Sequence, residues 1–187
     1  MRRQGRPPER RGKLRDCVRI TDRTDVVNRR QRYGDWEGET IIGKRRKSAL
    51  ITMVERKSDY ARLGRIDGMN SDLAMRAAKR RLNDLPPSLR RNMTFDNGKE
   101  FAKHPQLTWG LGLDAYFADP YASWQRGANE NMNWLLRQYF PQGTDFTRIS
   151  HREVTRVEQL FNERPRKRLG HRTPEEILKH DSVAIDY

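Results

Sequence analysis

Five acidic side chains fall at positions where a folded chain could use them for chemistry. Asp35, Glu37 and Glu39 alternate along a segment whose pattern predicts a β-strand, so they share one face of it. Asp96 closes a second predicted strand, and Glu130 lies in the first turn of a predicted helix, with 33 residues between these two acids. A sheet brings neighbouring strands together, and a helix packed across them adds a third acid.

Carboxylates gathered in this way repel one another unless cations lie between them. Mg²⁺ suits such a site, because it takes oxygen ligands and shares its remaining positions with phosphate and water. Two such ions about 3.5–4 Å apart can activate an attacking hydroxyl and stabilise a leaving oxygen at a phosphodiester. Such a group of acids could support metal-dependent phosphodiester chemistry, but the spacing alone does not establish it.

Each acid also has a simpler interpretation. Asp96-Asn97-Gly98 is typical of a turn, and Glu130 could serve only to stabilise the start of its helix through the helix dipole. The face that carries Asp35, Glu37 and Glu39 could be exposed to solvent.

The elements that must position these acids follow from hydrophobic periodicity and helix-capping patterns. The predicted strands are residues 35–43, 48–55, 60–66, 92–95 and 114–118, and the predicted helices are residues 71–85, 100–109, 128–139, 150–162 and 173–179. This order predicts an α/β domain with a mixed sheet. Trp36 alternates with the acids of the first strand, so we expect it in the core.

The charge points to a polyanionic partner, and nucleic acid is the first candidate. The chain has 39 Lys and Arg against 25 Asp and Glu, a net charge of +14. Residues 1–32 are predicted to form a basic N-terminal arm, either on phosphates or as a solvated tail, and residues 33–187 a core domain. A membrane-surface protein would need an amphipathic or anchored segment, and the sequence contains none.

Histidine and cysteine provide little for other functions. The four histidines lack the spacing of a structural zinc site, and the single Cys17 fits a reducing cytosol. No apolar run follows the first residues, as a signal peptide would require.

Four segments resemble one known family closely. The resemblance to the insertion-sequence-thirty family of DDE transposases, and more distantly to the retroviral integrase core, rests on YGDWEGETIIGK, MTFDNGKEF, DPYASWQRGANENMNWLLRQYFPQGTDF and NERPRKRLGHRTPEEIL. It extends from about residue 21 to residue 178. It implies a ribonuclease-H-like fold with a mixed five-stranded sheet flanked by helices and an extended basic arm.

The resemblance also implies a function. Glu39, Asp96 and Glu130 correspond to the three catalytic acids, which hold two Mg²⁺ or Mn²⁺ ions for DNA strand cleavage and strand transfer at insertion-sequence ends. The expected partners are transposon-end and target DNA and further copies of the chain assembled on that DNA. The expected location is the bacterial cytoplasm, at the nucleoid. Family members carry helix-turn-helix segments upstream of the core, and we expect this chain to lack them.

Two residues depart from the family pattern. The family has an aspartate where this chain has Glu39, and the added methylene would displace the carboxylate by about 1.5 Å. The family usually has glycine where Trp134 stands. Trp134 and Arg137 follow Glu130 by four and seven positions, hence on the same helical face. The indole could stack on a base or crowd the DNA groove.

Basic side chains near these motifs are the expected phosphate contacts, and any one of them could instead be only a solvated charge. They are Lys99, Arg126, Arg137, Arg164, Arg166, Lys167 and Arg168. Two alternatives to an active transposase domain remain open at this point: a DNA-binding remnant impaired in catalysis, and a ribonuclease-H-like enzyme that acts on RNA.

Overall fold

A computed structural model describes residues 17–119, 122, 125 and 127–183. Its sheet has six strands: β1 (Val18–Arg19), β2 (Asp35–Ile42), β3 (Ala49–Glu55), β4 (Ala61–Ile66), β5 (Asn92–Phe95) and β6 (Asp114–Phe117). The helices are α1 (Asp25–Asn28), α2 (Ser71–Leu82), α3 (Pro105–Leu111), α4 (Gly127–Leu136), α5 (His151–Asn162) and α6 (Pro174–Val183).

The sheet is mixed, as predicted. Its strand order is β1-β6-β5-β2-β3-β4. β2, β3 and β4 form an antiparallel meander, and β2, β5, β6 and β1 are parallel. All five predicted strands are present, but the expected count of five is wrong. A sixth strand of two residues, β1, extends the edge beyond β6.

Both faces of the sheet are covered, which explains why β3 is buried along its whole length. Its alternate side chains enter two apolar clusters. Ile51 and Met53 pack with α2 and α3, whereas Leu50 and Val54 pack with α4 and α5. A strand covered on both faces reads as a continuous apolar run, which is the sequence pattern of β3.

α5 protects the edge of the sheet at β4. The Asn162 side chain accepts a hydrogen bond from the Ala61 backbone N–H at 2.7 Å and donates to the Ala61 carbonyl oxygen at 2.9 Å. Glu158 accepts from the Leu63 N–H at 2.6 Å. These side chains satisfy backbone groups that an exposed edge strand would offer to another chain.

The folded body includes part of the segment assigned to the N-terminal arm. Residues 1–16 lie outside the described part of the chain. Residues 17–32 form β1 and α1, bury Ile20 and Val27, and place the Arg23 guanidinium 2.7 Å from the Thr94 hydroxyl of β5. The body therefore begins before Tyr33.

The predicted helix over residues 100–109 is divided in the structure. A 3-10 turn over Lys99–Phe101 precedes α3, which begins at Pro105. Proline has no N–H to donate and is favoured in the first turn of a helix, so it starts a new helix here.

Candidate active site

β2 carries three acids in three different environments. Asp35 and Glu37 are buried, while Glu39 is partly exposed. Asp35 is bound by Arg32, whose Nε lies 3.0 Å from Asp35 Oδ2, and by the Asn92 side-chain amide. The interpretation of this face as solvent-exposed is therefore wrong for Asp35 and Glu37. Trp36 is fully buried on the opposite face, as expected, and its Nε1 donates to the Leu89 carbonyl oxygen at 2.8 Å.

The parallel register places Asp96 beside Glu39. Gly38 of β2 is paired with Phe95 of β5, the last residue of that strand, so Glu39 and Asp96 are the residues that follow this pair on neighbouring strands. Adjacent strands lie about 4.8 Å apart. Asp96 is partly exposed, and its Oδ1 accepts the Gly98 N–H at 2.9 Å. This bond forms the turn that the Asp-Asn-Gly sequence predicts, so the acid and the turn coexist.

α4 lies across the same region and carries Glu130. The Asn129 N–H donates to Glu37 Oε2 at 3.0 Å, and the side-chain oxygens of Asn129 and Asn133 both lie 3.3 Å from the Thr52 hydroxyl. Thr52 of β3 is the register partner of Glu39. The first half of α4 therefore crosses β2 and β3 at the level of Glu39, and Glu130 is exposed there.

These three acids lie on adjacent elements, yet the described residues contain no group of three His, Cys, Asp or Glu side chains placed to hold a metal ion. Carboxylate oxygens are nevertheless the donors that Mg²⁺ and Mn²⁺ prefer. All three side chains have solvent access, in contrast to Asp35 and Glu37. The donor chemistry of the three carboxylates fits a divalent cation.

Glu37 is a structural residue of the site that sequence reasoning missed. Its side chain is 0% exposed and forms an ion pair with Arg56, which is 7% exposed. The other carboxylate oxygen holds the Asn129 N–H. One buried carboxylate thus connects β2, the end of β3 and the start of α4. The only signal was its position on the strand, which gives the face but not the partner.

The guanidinium groups of Arg23 and Arg56 are buried close to the carboxylates of Asp35 and Glu37. Burial, and next to it repulsion from Arg56, lowers the pKa of Arg23 to about 10. The Glu37 and Asp35 carboxylates oppose this shift, so the buried acids and cations balance one another. This network is buried, whereas Glu39 and Asp96 are partly exposed and Glu130 is exposed.

Glu55, at the end of β3, is also buried. It accepts hydrogen bonds from the N–H groups of Gly34, Lys57 and Ser58 and from the Ser58 hydroxyl. Burial raises the pKa of Glu55 to about 7 despite these bonds. The carboxyl fixes the β3–β4 turn to the start of β2.

The expected phosphate contacts divide into two groups. Lys99, Arg164 and Lys167 are exposed, and Arg137 is partly exposed just beyond the end of α4. Arg126 lies outside the described residues.

Two of these basic residues have partners within the protein. Arg166 is half-buried over the Phe161 ring and donates to the Phe161 carbonyl oxygen at 3.3 Å, and burial lowers its pKa. Arg168 forms an ion pair with Asp59 at 2.6 Å. Their contacts attach the segment after α5 to the body of the domain.

Trp134 is 67% exposed on α4, one turn after Glu130. An indole with this much solvent contact adds little to the core. Trp134 and Glu130 are both exposed on this helix, in agreement with their expected placement on one helical face.

Sequence comparison identifies the proteins that this chain is similar to. No protein-family model matches it. It is 39% identical over 196 residues to the transposase for insertion sequence element IS4351 of Bacteroides fragilis, an alignment covering 99% of this chain and 60% of the relative. It is 38% identical over 167 residues to transposase InsI for insertion sequence element IS30A of Escherichia coli K12, covering 89% and 43%. A transposase for insertion sequence element IS1086 of Cupriavidus metallidurans is also 38% identical, over 175 residues, covering 94% and 52%. The chain spans about half the length of these relatives.

Solved structures confirm the fold. The catalytic core domain of BIV integrase matches with a TM-score of 0.60 at 15% identity, covering 82% of this chain and 99% of that one. A chain of a simian T-cell lymphotropic virus intasome, solved with the PP2A regulatory subunit B56 gamma, matches with a TM-score of 0.60 at 16% identity, covering 78% and 54%. The domain therefore has the ribonuclease-H-like fold of integrase catalytic cores. Among the described helices, none combines the length and apolar character needed to cross a bilayer.

Proposed function

The chain belongs to the insertion-sequence-thirty family of transposases, and we propose that it is the catalytic domain that cleaves and joins DNA at the ends of such an element. The main support is the identity of 38–39% to three insertion-sequence transposases over 89–99% of the chain. The positions of Glu39, Asp96 and Glu130 on adjacent elements also support it, because their carboxylates could bind the divalent cations that such a reaction requires.

In this proposal Glu39, Asp96 and Glu130 hold two divalent cations, Mg²⁺ or Mn²⁺. When bound, such ions lower the pKa of a coordinated hydroxyl and stabilise charge on the leaving oxygen. The protein positions the carboxylates. β2 and β5 set the separation of Glu39 from Asp96, and the Glu37–Asn129 hydrogen bond sets the position of α4 and hence of Glu130.

DNA binding follows from charge. The net charge of +14 favours phosphate contacts, and the exposed side chains of Lys99, Arg164 and Lys167 are proposed to make them. Arg126 and the partly exposed Arg137 stay in this proposed set, and Arg166 and Arg168 would have to release their internal partners to join it. We propose that several copies of the chain assemble on transposon-end and target DNA, in the bacterial cytoplasm at the nucleoid.

The test is a cleavage and joining assay on duplex DNA that carries element ends, with Mg²⁺ or Mn²⁺. Asp96→Asn and Glu130→Gln should abolish the products. Asp114→Asn, an exposed acid at the start of β6, is the matched control and should leave them unchanged. Products that persist in Asp96→Asn would contradict the assignment. Cleavage of an RNA–DNA hybrid in preference to duplex DNA would instead favour the ribonuclease alternative.

One observation favours a second candidate function. The resemblance to the family leads us to expect aspartate where Glu39 stands, and a displacement of about 1 Å at a reacting centre can cost about a hundredfold in rate. A domain that binds DNA but cleaves it weakly or not at all would account for this residue. DNA binding without metal-dependent cleavage, reversed by Glu39→Asp, would identify it.

A further inference from the structure

The β2–β3 connection presents four consecutive cations to solvent. Residues 44–47, here termed the hairpin tip, are Lys44, Arg45, Arg46 and Lys47, and all four side chains are exposed. Like charges at this density repel one another, so the sequence carries an electrostatic cost that a short connection does not require.

The backbone of the hairpin tip is unfavourable for the residues that occupy it. Arg45 and Arg46 have φ angles of 53° and 56°, in the left-handed region. The Lys47 N–H lies 3.3 Å from the Lys44 carbonyl oxygen, which closes a turn with both central residues at positive φ. Such turns strongly prefer Asn-Gly, because a β-carbon is disfavoured at positive φ. Arginine has a β-carbon, so it lacks the conformational freedom that glycine has at positive φ.

The base of the tip is fixed to the rest of the domain. The Gly43 N–H donates to the Ser48 carbonyl oxygen at 2.9 Å, and the Lys44 N–H donates to the Thr144 carbonyl oxygen at 2.9 Å. A β-carbon at Gly43 would lie 2.8 Å from the fully buried ring of Phe146, so the strand end and this ring are in tight contact. The tip therefore projects its charges from a rigid position.

Strained backbone and unbalanced charge at one exposed turn indicate a binding role, since residues that violate local preference concentrate at functional positions. We propose that the hairpin tip binds the phosphate backbone of duplex DNA. This inference rests on the proposed function, in which DNA is the substrate. The tip lies five residues beyond Glu39, roughly 17 Å along the strand direction. Along a duplex, that length equals about five base pairs.

The design of the turn provides a sharp test. Arg45→Asn/Arg46→Gly removes two charges and introduces the pair that this turn prefers, so the fold should be kept or stabilised. Arg45→Lys/Arg46→Lys keeps the charge. Arg76→Gln/Lys79→Gln is the matched control, because it removes two charges from exposed positions of α2, on the sheet face opposite α4. Binding of a fluorescent 30-base-pair duplex is measured by anisotropy over a series of salt concentrations, and each melting temperature is recorded.

The Asn-Gly variant should melt at or above the wild-type temperature, yet bind DNA more weakly. The slope of log K against log salt is negative, and it should become less steep by about 1.8, or 0.9 for each of two lost phosphate contacts. The lysine variant should bind like the wild type, and the α2 variant should change the slope by less than half as much.

An Asn-Gly variant that binds with the wild-type slope would overturn the proposal, as would an equal loss in the α2 variant. Neither result depends on cleavage. The chemistry is tested separately by Asp96→Asn, so failure of the hairpin-tip proposal and failure of the proposed function are distinguishable.

Discussion

Replacing Glu37 with glutamine should destabilise the domain far more than the same change two residues later on the same face. In Glu37→Gln the Arg56 guanidinium, 7% exposed, loses its buried counter-charge. The amide of glutamine can accept from either Asn129 or Arg56 through its one oxygen, but not from both as the carboxylate does. Removing one partner of a buried ion pair costs about 3–5 kcal/mol.

The matched control is Glu39→Gln, which neutralises a partly exposed carboxylate on the same face of β2. Its expected effect is within about 0.5 kcal/mol, as for most surface substitutions. For a chain of this size, 1 kcal/mol shifts the melting temperature by about 2–4 °C. Glu37→Gln should therefore melt at least about 6 °C below the wild type, and Glu39→Gln within about 2 °C.

The assay is urea unfolding followed by circular dichroism, together with amide hydrogen exchange. Asn129 should lose protection in Glu37→Gln, because its N–H loses its acceptor. Glu37→Gln/Arg56→Met removes both buried charges and should recover most of the lost stability. A Glu37→Gln variant within 1 kcal/mol of the wild type, with Asn129 still protected, would refute the assignment of Glu37 as the residue that positions α4.

Two further predictions concern stability. Burial raises the carboxyl pKa of Glu55 from its ordinary value of 4.5 to about 7 in the folded protein. Between these two pH values, the folded state keeps a proton that the unfolded state has lost. The stability that this proton supplies should be complete below about pH 4.5 and lost as pH rises to about 7, an effect of about 3 kcal/mol. In Glu55→Gln this part of the pH dependence of urea unfolding should vanish, and an unchanged profile would contradict the burial effect. Gly43→Ala should cost about 1–3 kcal/mol through contact with Phe146, whereas Gly127→Ala in the first turn of α4, where a β-carbon meets nothing within 4 Å, should be neutral or stabilising. Equal melting temperatures for the two variants would show that Gly43 is not tightly packed.

Most of the strands and helices were predictable, because alternation and helix capping depend on residues that are close together in the sequence. Alternation predicted β2, and a helix was predicted over residues 150–162, where α5 forms. The Ser150 hydroxyl caps this helix by accepting the Glu153 N–H at 3.1 Å. β1 was missed because its two residues are exposed and lie in a strongly charged segment. Parallel pairing with β6, more than 90 residues later in the chain, creates this strand.

The strands and the helix that carry the three proposed acids could be predicted from the sequence, whereas the contacts that support these elements could not. The spacing of Glu39, Asp96 and Glu130 indicated that three elements meet, and the register of β2 with β5 agrees with that arrangement. Burial of Glu37 depends on Arg56, 19 residues later, and on Asn129, 92 residues later. A pattern with a period of two residues gives the face of a side chain, but it cannot identify a partner from a distant part of the chain. The positive φ angles of Arg45 and Arg46 were equally hidden, because arginine predicts neither.

In the proposed function, the residue at position 39 acts with Asp96 and Glu130 in metal-dependent DNA cleavage. The most direct measurement compares cleavage rates of a pre-nicked transposon-end duplex in Mn²⁺ for the wild type, Glu39→Asp and Glu39→Asp/Asp96→Asn. Glu39→Asp should cleave about 10–100-fold faster than the wild type, a lowering of the barrier by roughly 1.4–2.7 kcal/mol, and Asp96→Asn in that background should remove the gain. A Glu39→Asp variant that binds DNA normally without cleaving faster, or a gain that survives Asp96→Asn, would contradict the claim.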